Sequence, residues 1–228
     1  MPRPSRNIDQ VLLQSGRALY PQLGCAGLSL RLLAEHAQVN VGMFHYHFQS
    51  KDNFLRELLA QMYEEIFQQL QQEANIAGNT LQRLRHALCR LARLMREHGD
   101  WLGRVLADAS QGEPVALAFL QANGARHVGL LIGLLEQAQR EGSLVASIPP
   151  LQRLTFLMGS VVAPMVIAPR AMGLGIMPPP LAAGIQSDVL SDDGIAQRVD
   201  YALWALTHYT PDSNHRPQAQ PAKDLPHA

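Results

Sequence analysis

Apolar residues recur three and four positions apart along most of this chain, and clear alternating strand patterns are missing. Ile8, Val11, Leu12, Ser15 and Leu19 fall on one stripe, which predicts a first helix over 6–21. Gly24 and Gly27 bracket a turn. Ser29 then caps a short second helix that turns Leu30, Leu33, Ala34 and Ala37 inward. After a tight turn at 37–39, Asn40 caps a short third helix reaching about Tyr46. Ser50 caps a fourth, with Asp52 in its first turn where the helix dipole favours an anion. Phe54, Leu55, Leu58, Met62, Ile66 and Leu70 carry that helix to about residue 74.

Gly78-Asn79-Thr80 interrupts the pattern, and Thr80 caps a fifth helix over 80–98 that ends at Gly99, with shorter helical stretches at 101–110. A long helix over 114–140 starts with Pro114 at a permitted first-turn position and stops at Gly142. Pro149-Pro150 opens the next, and Pro164 and Pro169 are expected to kink it. Five Gly or Pro within 173–180 predict a loop over 171–190. Ser191 or Asp192 caps the last helix, 192–209. Beyond it lie Pro, His, Gln and Asn with almost nothing apolar, which predicts a disordered tail. The expected fold is all-α with about nine helices: a three-helix module over 1–55, a larger helical body over 56–210 and a tail over 211–228.

Composition narrows the classes of function. Lys+Arg and Asp+Glu are 19 each, which excludes binding to nucleic acid by bulk charge but not a local basic face. Residues 1–60 hold six Arg or Lys against four Asp or Glu. Two cysteines, Cys25 and Cys89, cannot make a disulfide framework, are expected to be packing residues and fit a reduced, cytoplasmic setting. The polar start shows no secretory signal, and the longest apolar stretches, such as 161–168, fall far below the ~20 residues of a membrane span. No Gly-rich phosphate loop, nucleophile elbow or spaced metal ligands point to an enzyme, and Asp100 and Asp108, eight apart, make no obvious pair. His45 and His47 lie two apart, on different helix faces, so no metal or cofactor is expected even with His36 nearby.

The informative segment is LSLRLLAEHAQVNVGMFHYHFQSK, residues 28–51. Two short helices around a tight turn make a helix-turn-helix. Phe44 and Phe48 anchor the second helix, which leaves Val41, Met43, His45 and the edge of Tyr46 outward. Gly42 lets a close surface approach, and Lys51 adds charge to a helix N-terminus suited to phosphate. Leu33, Ala34, Ala37, Val39, Gly42, Phe44, His47, Phe48, Ser50, Lys51 and Phe54 together match a pattern that resembles the DNA-binding module of TetR-type bacterial transcriptional regulators, over about residues 8–60. Three positions depart from it: Gln38 replaces a turn Gly, Asn40 a Ser, and His45 a Tyr.

The resemblance implies roles. Residues 40–46, beginning at Asn40, would enter the major groove of double-stranded operator DNA. Arg31 would meet a base edge or phosphate, and Ser29, Tyr46, His47 and Lys51 would hold phosphates. Val41 and Met43 would touch thymine methyls. It also implies a homodimer, repressing at a palindromic operator until a small, largely apolar effector releases it. An activator or corepressor-dependent regulator is the alternative; a helical ligand-binding protein or enzyme without DNA binding is the reading of another class.

The helical body offers two further sets of candidates. Asn123 and His127, four apart on an otherwise apolar helix, are either core hydrogen-bonding residues or the polar end of an effector pocket. Met95, Trp101, Phe119, Met158 and Met165 are candidates for the rest of it. Arg83, Arg90, Arg93 and Arg96 suggest a solvated mixed-charge face rather than an acid-binding pocket. The last helix is apolar on two sides, with Ile195, Val199, Leu203 and Leu206 on one and Tyr201, Trp204 and His208 on the other. One side meets the helix over 150–168. The dimer interface is accordingly expected from Leu154, Val161, Val162, Val199, Tyr201, Trp204 and His208. Gly159 and Pro164 are expected to give the preceding helix a bistable bend.

Overall fold

The computed structural model describes residues 7–210, all of whose regular structure is helical. The tail expected over 211–228 lies outside the described residues. Helix α1 (Ile8–Gly27) runs past its expected end, and Gly24, with φ 64°, breaks it where the turn was placed. Helices α2 (Leu30–Ala37) and α3 (Val41–Phe48) follow as expected. Ser29 Oγ accepts from the Leu32 N–H, and Asn40 Oδ1 from the Gly42 N–H. Gln38 between them is left-handed, at φ 54° and ψ 41°. A glycine would hold that conformation about 1 kcal/mol more cheaply. The cost is offset by the turn's hydrogen bonds, Gln38 N–H to Glu35 O and Val39 N–H to Ala34 O.

Helix α4 (Lys51–Ala74) crosses residue 55 without a break. Its first turns, with Phe54 and Leu58, close the small module, and Gly16 of α1 is what lets α1 lie against them: a Cβ there would stand 2.7 Å from the Phe54 ring. Its later turns, with Tyr63, Ile66 and Leu70, belong to the larger body.

Helix α5 (Thr80–Ser110) is one 31-residue helix, which corrects the expected end at Gly99. Its N-cap is Asn79, in a reciprocal capping box with Gln82. A glycine in a helix interior costs about 1 kcal/mol. Burial of Trp101 and Val105 beyond Gly99 outweighs that cost, and Gly103 leaves room for Arg170 to lie across the helix and donate to the Gly99 carbonyl at 3.1 Å.

Helix α6 (Pro114–Arg140) matches its expected bounds. Helices α7 (Pro150–Leu157) and α8 (Ala163–Gly173) form one rod through a π-helical turn, Met158–Val162. The turn sits just ahead of Pro164, whose missing N–H and bulky ring disturb a regular ladder there. Residues 171–190 are not a loop. Helix α8 runs to Gly173, α9 (Pro179–Gly184) starts on prolines at its first turn, and a second π-helical turn covers Ile185–Val189. Proline suits a first helical turn, whose N–H groups have no partner within the helix. Helix α10 (Asp192–His208) closes the fold, capped by Ser191.

The arginines of α5 form a docking seam rather than a solvated face. Arg83 donates to the Ala74 carbonyl, Arg85 makes a two-pronged pair with Asp200 at 2.5 and 2.8 Å, and Arg93 and Arg96 pair with Asp192. They bind the end of α4, and the start and middle of α10, to α5. The helices Pro114–Arg140 and Pro150–Gly173 are long and apolar enough to cross a membrane by length and composition alone. The stretch-length expectation missed this because scattered polar residues break up their apolar runs.

Candidate nucleic-acid interface and ligand cavity

Helix α3 is pinned from beneath and open above. Phe44 and Phe48 are buried and meet Phe54 at ring-centre distances of 5.3 and 5.0 Å. Truncating an aromatic in such a cluster costs about 3–5 kcal/mol. Asn40, Val41, Gly42, His45, Tyr46 and His47 are exposed and Met43 is half-buried, so every member of the outward set expected from the sequence reaches solvent at least in part. Tyr46 is the most exposed of its apolar members, at 79%. Ser29 and Arg31 present themselves from α2. Arg31 is held by Glu35, one turn on, at 2.9 Å. A pair this exposed is worth little and can be exchanged for another anion. Lys51 Nζ donates to the Ala26 carbonyl at 3.2 Å and ties α4 to the end of α1, leaving its other donors free.

The module is joined to the body at a polar site that sequence reasoning missed. Asp108, near the end of α5, is buried. Its Oδ2 accepts from the Tyr20 hydroxyl at 2.9 Å and the Cys25 N–H at 2.7 Å, and its Oδ1 from Arg104 at 2.9 Å. Burial pushes the carboxyl pKa up, but the Cys25, Tyr20 and Arg104 donors outweigh it and hold the net value below the ordinary one. The same burial, with the carboxylate beside them, raises the Tyr20 hydroxyl and pushes the Cys25 thiol up to about 12. Cys25 is thus an inert packing thiol. Gly24 is required here, since a Cβ would strike the Arg104 guanidinium.

On the other side of α5 lies a cavity of about 260 Å³. Tyr63, Ile66, Phe67 and Leu70 of α4, Leu91, Met95, Leu102 and Leu106 of α5, Leu120 and His127 of α6, and Met158, Val162 and Val166 of the α7–α8 rod line it. Met95, His127 and Met158 are where the sequence placed them. Trp101, Phe119, Asn123 and Met165 are not in the lining. Trp101 and Phe119 pack edge to face behind it, and Met165 is core. Asn123 gives its side chain to the Phe119 carbonyl, and its own carbonyl accepts from the Tyr63 hydroxyl at 2.9 Å. Tyr63 and Phe67 went unforeseen because their stripe on α4 reads as ordinary core. Burial alone lowers the pKa of His127. Among the described residues no three His, Cys, Asp or Glu side chains converge as a metal site would require.

Several candidates for the dimer face are already used within the chain. Val161 and Val199 are fully buried, Leu154 is buried, and Val162 lines the cavity. The helices turn these residues inward to make the core. Tyr201, Trp204 and His208 are exposed on the opposite side of α10, with Trp204 and His208 stacked at 5.0 Å. Leu151, Phe156 and Ile167 are exposed on the α7–α8 rod.

Comparison with known proteins agrees with this geometry. Residues 12–58 match the family described as "Bacterial regulatory proteins, tetR family". No curated protein matches in sequence. The ketosteroid transcriptional regulator KstR2 of Mycobacterium tuberculosis is similar in fold, with TM-score 0.65 and 15% identity over 91% of this chain and 98% of that one. A TetR family transcription regulator from Marinobacter aquaeolei gives TM-score 0.62 and 14% identity over 89% and 96%. The regulator FadR from Bacillus subtilis, in complex with stearoyl-CoA, gives 0.56 and 12% over 87% and 97%. Residues 12–58 thus carry a helix-turn-helix module of the tetR family, and the described length shares the fold of these regulators.

Proposed function

We propose that this protein is a homodimeric, sequence-specific transcriptional repressor whose DNA affinity is set by a small apolar effector. The observation that carries it is the α3 surface: six exposed residues over Asn40–His47, clamped by buried Phe44 and Phe48. A short rigid helix of this kind fits a B-DNA major groove, with its N-terminal residues at base edges. Val41, Met43, His45 and Arg31 face bases, while Ser29, Tyr46, His47 and Lys51 hold phosphates and fix register. The exposed apolar residues of α10 and the α7–α8 rod meet their copies in a second chain, which sets two recognition helices about 34–36 Å apart. FadR, a fold relative seen with stearoyl-CoA, supports a ligand role for the cavity. Helix α5 lines that cavity with Leu102 and Leu106 and holds Asp108 at the module joint. An occupant that binds better when α5 is displaced shifts the population away from the DNA-binding spacing.

Substitution separates these roles. Lys51→Ala is expected to weaken binding to all duplexes alike and to lower the salt slope by about one. Arg31→Ala and His45→Ala are expected to change which duplexes are retained. DNA affinity and preference untouched by all three would overturn the site.

A further inference from the structure

Among the described residues the cavity wall carries no Asp, Glu, Lys or Arg side chain, so a charge placed inside it would have no partner there. Arg126 is close by but lies over the Phe67 ring at 4.1 Å and is paired with Glu64 at 2.8 Å, outside the lining. Arg170 crosses α5 at Gly103 and is likewise outside the lining. The polar atoms of the lining side chains are therefore those of Tyr63 and His127.

Their hydrogen bonds fix what is left for a ligand. The Tyr63 hydroxyl has one proton, and the Asn123 carbonyl, which can only accept, takes it at 2.9 Å. His127 Nδ1 lies 3.3 Å from the same hydroxyl oxygen. With the phenol proton committed, Nδ1 must be the donor in that contact. The imidazole proton then sits on Nδ1, and Nε2 keeps its lone pair. The lowered pKa of the buried ring agrees with a neutral imidazole.

We infer that the cavity takes a neutral, mainly apolar molecule carrying one hydroxyl-type hydrogen-bond donor, which His127 Nε2 accepts. This rests on the cavity being the effector site. A carboxylate or an ether oxygen brings only lone pairs to Nε2 and is disfavoured. The volume, just below the ~300–1,000 Å³ of typical ligand sites, suits a small occupant.

The test is calorimetric titration of the full chain near pH 7.5 with 1-decanol, decyl methyl ether and decanoate, on wild type, His127→Phe and Tyr63→Phe. Decanol is expected to bind wild type about tenfold or more tightly than the ether or decanoate. His127→Phe should bring decanol and the ether within about twofold of each other. Tyr63→Phe, which unlocks the ring proton, should narrow the ratio. Nitrogen-15 resonances of free wild-type protein should show His127 protonated on Nδ1. Ether or decanoate binding as tightly as decanol, a ratio unmoved by His127→Phe, or a proton on Nε2 overturns the inference while leaving the cavity as a ligand site. No binding by any of the three up to their solubility removes the cavity as a ligand site, and the inference with it.

Discussion

Asp108 and His127 are both polar side chains set among apolar neighbours on either side of α5, and the chain completes them to different degrees. The Asp108 carboxylate is surrounded by Tyr20, Cys25 and Arg104, so both its oxygens are used. His127 has one nitrogen engaged by Tyr63, and its ring is part of the cavity lining, where the second nitrogen is proposed to accept from a ligand. A closed network of this kind fixes one geometry, because losing its central acceptor strands every donor around it. An open one waits for a group from outside. The first belongs to the joint between α1 and α5, the second, in the proposed reading, to ligand recognition.

Breaking the closed site should have the largest effect. Asp108→Ala leaves the Tyr20 hydroxyl, the Cys25 N–H and Arg104 without their acceptor, and is expected to cost about 3–5 kcal/mol in urea unfolding. Gly24→Ala attacks the same site from the backbone, by forcing a left-handed alanine onto Arg104. Its expected cost is about 1–3 kcal/mol, read as a lower thermal midpoint. Tyr20→Phe removes one donor of several and should cost about 0.5–1.5 kcal/mol. Acid probes the site without mutation. The folded pKa of Asp108 lies below its unfolded value of about 3.9, so its contribution is full above that value and is lost as pH falls below it. Asp108→Asn should flatten that part of the stability–pH curve. The smallest effect is expected at the open site, where His127→Phe should change unfolding stability by under about 1.5 kcal/mol, since volume is nearly kept. A loss as large as that of Asp108→Ala would mean that His127 is structural after all.

The same contrast explains what could be read in the sequence. Helices α2 and α3, their caps at Ser29 and Asn40 and the anchors Phe44 and Phe48 were legible because each signal is local. Asp108 gave no signal, since its partners Tyr20 and Cys25 lie more than 80 residues away. Gly99 read as a helix end because its local propensity is poor, and only the packing of α5 on its neighbours overrides it. The prolines over 178–180 read as a loop, although they are placed where a helix accepts them. Three of the cavity's lining residues, Met95, His127 and Met158, were foreseen. Trp101, Phe119 and Met165 turned out to be core because helix phase alone does not say which buried face has room beside it.

All of these roles serve one claim, that the α3 surfaces of a dimer read a DNA sequence. The most direct test is selection of bound duplexes from a random pool by the purified full chain, at near-physiological salt and without added ligand. Recovery of an inverted repeat, with half-sites about one helical turn or slightly more apart, is the expected result. Retention of DNA with no enriched repeat, or no retention at all, would contradict it.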